Sequence, residues 1–138
     1  MKDGVPTTSM DQVILHHVGL ACQEINSARR WFVEAFPTAN VSQIVIDPLQ
    51  NAELCLVSFD TGSMIELVSG PIVKTVLEKG TPLYHICFEA PNFAAHITHL
   101  QSLGCILVAP PTPARLFSER LVAFLYGPHG LIEILSST

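Results

Sequence analysis

The chain has 138 residues, an apolar fraction of 49% and a formal charge of -5, enough apolar material for one domain with a proper core. Its seven Lys and Arg are scattered, which excludes a basic stripe able to neutralise a phosphate backbone and so disfavours nucleic acid as a partner. The longest apolar runs, such as Leu121 to Tyr126, are strand-sized and fall far short of the roughly 20 residues of a membrane-spanning helix.

Met1 to Pro6 carries no apolar segment after Lys2, so neither a secretory signal nor a transit peptide is expected, only a short loose leader on a cytoplasmic protein. The first strand is Leu15 to Ala21, with His16 and His17 inside it. A helix follows, marked by Ile25, Ala28, Phe32, Ala35 and Phe36 at i, i+3, i+4 spacing, with Asn26 as cap and Pro37 as stop. Three strand-like stretches come next, Val41 to Ile46, Glu53 to Phe59 and Met64 to Val68. Pro71 to Gly80 then reads as a short helix ending at a glycine cap.

From Leu83 the pattern starts again. A strand from Leu83 to Glu89 carries His85; a helix over Phe93, Ile97, Leu100 and Leu103 opens at Pro91-Asn92 and closes at Gly104. Cys105 to Val108, Arg120 to Tyr126 and Leu131 to Leu135 complete a second set of three strands. His17 and His85 stand 68 residues apart, and Glu66 and Glu133 stand 67 apart, each at the same place in an otherwise apolar strand. The chain is therefore a tandem repeat of one βαβββ unit. The expected fold is α+β, two modules forming one curved mixed sheet: module one at about 13–69, a linker helix at 70–81 and module two at about 82–136. A unit of about 60 residues with one open sheet is marginal alone, so the two should share a core as a single domain, 1–138.

The repeat also marks the chemistry. Burying an unpaired carboxylate is very costly, so a Glu amid apolar strand residues needs a partner, a proton or a metal. Two such Glu and two His at matching positions need one explanation. Under approximate twofold symmetry His17, Glu66, His85 and Glu133 converge near the axis as an N2O2 set suited to Zn, Ni, Co, Mn or Fe. Cys22, Cys55, Cys87 and Cys105 stand singly, without C-x-x-C spacing, and read as buried free thiols in a reducing compartment. His16 should face away from the site by strand alternation. His96 and His99 should face solvent from one helix, and His129 should lie in a turn. Trp31 is expected in the core or an interface, and no phosphate loop or dinucleotide fingerprint occurs.

Over about residues 14 to 135 the chain resembles the vicinal oxygen chelate superfamily, which includes glyoxalase I, methylmalonyl-CoA epimerase, extradiol dioxygenases and drug-binding resistance proteins. The family's His, Glu or Gln, His, Glu pattern falls on His17, Glu66, His85 and Glu133. Within the superfamily it is most similar to the epimerases, through Glu66-Leu67-Val68, Gly70-Pro71-Ile72, Leu77-Glu78-Lys79-Gly80, Tyr84-His85-Ile86 and Val122-Ala123-Phe124-Leu125. The resemblance implies one divalent ion (Co, Ni, Zn, Mn or Mg), a homodimer, and proton transfer on a small-molecule acyl thioester, on CoA or on a carrier protein.

The alternatives are a glyoxalase I-like lactoylglutathione lyase and a non-catalytic binding protein of the resistance type. Glu133 is one expected base. Glu53, whose repeat mate is Arg120, is the other: Glu53 could act as base while Arg120 holds a substrate carboxylate, or both could face water. Arg115 joins Arg120 as a substrate-binding residue in the segment Pro110 to Arg120, where the epimerases carry a Gly-rich loop instead. That stiff Pro-rich turn with Phe117 and two Arg shapes a different substrate mouth.

Overall fold

The structure, a computed structural model, describes residues 12–138. The leader expected at Met1 to Pro6 lies outside them. Module one runs β1 (Ile14–Ala21), α1 (Ile25–Ala35), β2 (Asn40–Val41), β3 (Val45–Asp47), β4 (Ala52–Ser58) and β5 (Met64–Ser69). A 3-10 turn (Pro71–Val73) and α2 (Lys74–Glu78) lead into β6 (Leu83–Ala90) and α3 (Phe93–Ser102). Then come β7 (Ile106–Leu107), β8 (Thr112–Ala114), a second 3-10 turn (Arg115–Phe117), β9 (Arg120–Gly127) and β10 (Gly130–Ser136).

All ten strands join one curved, open sheet with the main order β2-β4-β5-β1-β6-β10-β9-β7, while β3 pairs with β4 and β8 with β9. At its centre β1 and β6 run antiparallel, and each has the last strand of its own module parallel beside it, β5 next to β1 and β10 next to β6. That order is what a twofold between β1 and β6 produces, and it puts the four marked residues on neighbouring strands.

Alternation then sorts the side chains. Cys55, Val57 and Leu67 turn to the outer face, where they pack with Ile25 and Phe32 of α1. Ala123, Leu125 and Ile134 do the same under Ile97 of α3. Burying each of these large aliphatic side chains contributes about 1.5–3 kcal/mol, and the two helix-covered layers fix the sheet's curvature from behind. Their strand neighbours Glu66 and Glu133 must therefore point to the inner face.

Local details depart from the sequence expectations for identifiable reasons. The stretch Val41 to Ile46 is two short strands, because Ser42 leaves the ladder: its Oγ donates to Gln43 O and accepts from Leu56 N, while Arg29 Nε donates to its carbonyl. The cap of α1 is Glu24, not Asn26; its carboxylate accepts from the backbone N–H of Asn26 and Ser27. Trp31 is 59% exposed, so it belongs to neither core cluster of its module. The Pro-rich segment is more ordered than a turn, since Thr112, Pro113 and Ala114 pair with Val122, Leu121 and Arg120.

Candidate metal centre

His17, Glu66, His85 and Glu133 meet on the inner face, each between 1% and 3% exposed. Nε2 of His17 lies 3.1 Å from Nε2 of His85. Oε1 of Glu133 is 3.1 Å from the first and 2.9 Å from the second; Oε1 of Glu66 is 3.5 and 3.3 Å away. The two His stand on the central strands, and the two Glu approach from the flanking strands on either side.

This geometry fits a cation better than a hydrogen-bond network. Donors at about 2.0–2.1 Å from one ion are separated by roughly 3.3–3.4 Å at tetrahedral and about 2.9 Å at adjacent octahedral corners, and the contacts here run from 2.9 to 3.5 Å. Among the four atoms only the pair of Nε2 nitrogens is aligned as a hydrogen bond, and buried Oε1 of Glu133 has no aligned donor although His85 Nε2 is 2.9 Å away. A buried polar atom without a partner requires an explanation. Two carboxylates with two neutral imidazoles leave two negative charges, which one divalent ion balances.

Without an ion the cluster balances itself by proton uptake. Burial works against a charge on His85, but the adjacent carboxylates of Glu133 and Glu66 outweigh it and raise its pKa to about 9. The His17 value is raised by the same contest. Burial likewise pushes the Glu133 carboxyl up, while His17 and His85 more than offset it and hold it down at about 2.

Two β-bulges bring in residues that alternation would send away. On β1, Leu15 pairs with Phe88 and His17 with Cys87, leaving His16 as the extra residue; on β6, Leu20 faces Leu83 and Gly19 faces His85, leaving Tyr84 extra. His16 and Tyr84 are repeat mates. Contrary to expectation His16 does not face away: its Nδ1 lies 2.8 Å from Nδ1 of His17. Tyr84 sets its ring edge-on to His85 at 4.8 Å. Phe117, from the segment that departs from the epimerase pattern, stacks on His17 at 5.1 Å and 19° and closes the site from above. Sequence reasoning placed Phe117 at a substrate mouth but not against His17, and it missed Gly19, which faces the ring of His85.

The other expected site residues lie elsewhere. Alternation with inward Leu54 and Leu56 turns Glu53 to the opposite face, where it is exposed and accepts from Ser69 Oγ at 3.1 Å. Arg115 reaches back to module one: its backbone N–H donates to Asp47 Oδ2 and its guanidinium to Ile46 O. Arg120 faces Glu89 at 3.6 Å and His16 at 3.5 Å. A cavity of about 630 Å³ lies beside the tetrad, between α2 and module two, with Gln50, Val76, Tyr84, Thr112, Phe124 and Leu131 in its lining. Neither Arg115 nor Arg120 lines it, and among the described residues Lys79 is its one cationic lining residue. None of the four tetrad residues lines the cavity; Tyr84 and Phe124 do, and their rings both touch that of His85.

Residues 16–124 match the family model of the glyoxalase/bleomycin resistance protein/dioxygenase superfamily. The chain belongs to this superfamily. No curated protein sequence matches it. Among solved structures, methylmalonyl-CoA epimerase from Mycobacterium tuberculosis superposes with a TM-score of 0.79 at 18% identity, covering 99% of this chain and 95% of that one. A hypothetical protein from Bacillus halodurans C-125 superposes with a TM-score of 0.76 at 21% identity, covering 92% and 96%. A Streptomyces coelicolor methylmalonyl-CoA epimerase variant in complex with 2-nitronate-propionyl-CoA gives 0.72 at 17%, covering 90% and 96%. At such identities the likeness is one of fold. Superfamily membership and the buried donor set together make a divalent-metal site the reading of the tetrad, and no helix among the described residues is long and apolar enough to cross a membrane.

Proposed function

We propose that the protein is a metal-dependent proton-transfer enzyme of the methylmalonyl-CoA epimerase type, acting on an acyl thioester. The observation that carries this reading is the buried tetrad, with a carboxylate entering from each flank of the His pair, next to a largely apolar cavity. A divalent ion held by His17, Glu66, His85 and Glu133 supplies Lewis acidity, which lowers by several kcal/mol the cost of removing a proton next to a thioester carbonyl.

The chain's own residues would do the rest. Glu133 would take the α-proton as base, and Glu66, on the far flank, would deliver a proton to the opposite face of the carbon after taking one up from solvent, which inverts the centre. Phe117, Phe124 and Tyr84 exclude water from the exchange. Burial first, and then the nearby Glu133 and Glu66, push the Tyr84 hydroxyl up, so it stays protonated as a donor at the cavity wall. Solved epimerase structures in complex with CoA compounds, methylmalonyl-CoA among them, support a CoA or carrier-bound thioester. Because Arg115 and Arg120 lie outside the cavity lining, the reading does not require a second carboxylate on the acyl group.

The test is solvent deuterium exchange into methylmalonyl-CoA and into a simple apolar acyl-CoA by the metal-loaded protein. Incorporation at the α-carbon, lost in Glu133→Gln, is the expected result. Exchange into a hemithioacetal alone would move the reading to a glyoxalase I-like lyase. Absence of exchange into any of them with metal bound would overturn the enzymatic reading in favour of a binding protein.

A further inference from the structure

The two halves of the tetrad are not equally supported. His17 has a partner for its second ring nitrogen, Nδ1 of His16 at 2.8 Å, whereas Nδ1 of His85 is buried without one. The difference comes from the two bulge residues. Each immediately precedes a ligand His and turns toward it, but Tyr84 offers His85 only an aromatic ring contact where His16 offers His17 a nitrogen.

We propose that His16 is a positioning residue: it accepts the Nδ1–H of His17 and thereby fixes the tautomer and ring angle that present the His17 Nε2 lone pair to the metal. This rests on the metal-site reading above. One proton lies between the two Nδ1 atoms. With that proton on His17, Nε2 of His17 is bare and His16 carries its own proton on Nε2, 4.0 Å from Oε1 of Glu89. Glu89 is held in turn by Arg120 through its other oxygen at 3.6 Å. With the proton on His16, the chain runs the opposite way: Arg120 donates to His16, and His17 carries its proton on Nε2, where it blocks the ion. At 4.0 Å Glu89 favours the metal-holding direction through its charge and not through a hydrogen bond, while Arg120, 3.5 Å from His16 Nε2, both restrains Glu89 and offers the reverse arrangement. Phe117, edge-on to His16 at 5.2 Å and stacked on His17, keeps the two imidazoles from swinging apart. Ligand His residues are commonly oriented by a partner on the second ring nitrogen, and losing it typically weakens metal binding 10- to 100-fold.

Two substitutions separate hydrogen bonding from packing. His16→Phe keeps a ring against Phe117 and removes the acceptor; His16→Asn loses the ring but keeps an oxygen near the place of Nδ1. Binding of Co2+ to the intact protein is measured by chelator competition, with the cobalt absorption spectrum as a second readout. Positioning by His16 is expected to lower the affinity of His16→Phe by roughly 10- to 100-fold with an altered spectrum, while His16→Asn stays within about threefold of the starting protein. Equal affinity in His16→Phe, or a larger loss in His16→Asn than in His16→Phe, overturns the proposal while leaving the metal site standing. Failure of the unsubstituted protein to bind Co2+ overturns both.

Discussion

Gly19 stands opposite His85 across the central strand pair, and the imidazole of His85 fills the space that a Cβ on Gly19 would need, at 2.6 Å from Nδ1 and 2.7 Å from Nε2. The requirement is for space, since the backbone at Gly19 is not among the positive-φ positions. On the other side of the twofold its repeat mate Cys87 faces His17 and carries a side chain, so the two modules share a backbone but not a packing solution. Gly19→Ala must displace the His85 ring or the strands. Overpacking of this kind typically costs about 1–3 kcal/mol, to be read as a lower midpoint in urea unfolding. Divalent-metal affinity should drop at least about tenfold by the same displacement. A variant with unaltered metal affinity would show that the ring has another resting place.

The metal-free protein should have an unusual pH dependence of stability. The raised value of His85 contributes stability that is fully present below the ordinary histidine value of 6.5 and is lost as pH rises through about 9, and His17 acts in the same direction. The lowered value of Glu133 contributes stability present above 4.5 and lost as pH falls through about 2. The apoprotein is thus most stable between the two ordinary values, and its melting temperature should fall by on the order of 5–10 °C between pH 6 and pH 9. A divalent ion competes with those protons, so the loaded protein should gain stability over the same interval. Calorimetry with and without chelator measures both slopes, and parallel curves would mean that the tetrad does not exchange protons for metal.

The tetrad was legible in the sequence because a repeat turns four weak signals into one strong one: His17 with His85 and Glu66 with Glu133 occupy equivalent strand positions, and strand order does the rest. The surroundings were not legible, because they depend on breaks in periodicity. A bulge is one extra residue that hydrophobic alternation does not register, so His16 was expected on the far face while Tyr84 gave no signal of its own. The expectation of Glu53 as a base failed in the opposite way: alternation along β4 is regular, and with Leu54 inward Glu53 is outward. The ladders also undo the tandem match of Glu53 to Arg120: Leu56 opposite Glu66 and Phe124 opposite Glu133 set the offset between β4 and β9 at 68, so Glu53 corresponds to Leu121. Arg120 alternates with Phe124 onto the inner face and Glu53 lies on the outer one, so the two share no face.

Ser118 and Glu119 both adopt left-handed backbone conformations, with φ of 57° and 64°, immediately after Phe117. Residues with a Cβ pay roughly 1 kcal/mol or more in that region, and two in succession are rare. The turn sets Phe117 on His17 and starts β9 at Arg120 beside Glu89, so the strain is stored at the edge of the site. Ser118→Gly and Glu119→Gly should therefore cost no stability and gain up to about 1 kcal/mol, whereas Ser118→Val should lose on the order of 1–3 kcal/mol. Urea unfolding curves decide the matter. A glycine variant that is clearly less stable would mean the left-handed turn is not the native one.

Asp47 links this strained turn to the first module. It is buried, and its carboxylate accepts from the backbone N–H groups of Leu49, Gln50 and Arg115 and from Nε2 of Gln50. Asp47 ends β3 and Arg115 directly follows β8, the strand that takes the place of β3 in the second module, so the contact ties the two modules together. Three backbone donors lose their acceptor in Asp47→Ala, and with charge-assisted bonds at about 1.5–3 kcal/mol the loss should be on the order of 3 kcal/mol after partial rescue by water. The consequence for the site is kinetic. Without the Arg115 anchor the turn carrying Phe117 can lift from His17, and bound metal should leave faster even where its equilibrium affinity changes little. Stopped-flow mixing of the loaded protein with excess chelator measures that rate directly. A destabilised Asp47→Ala that releases metal no faster than the unsubstituted protein would separate the anchor from the closure of the site and leave Phe117 held by its own packing alone.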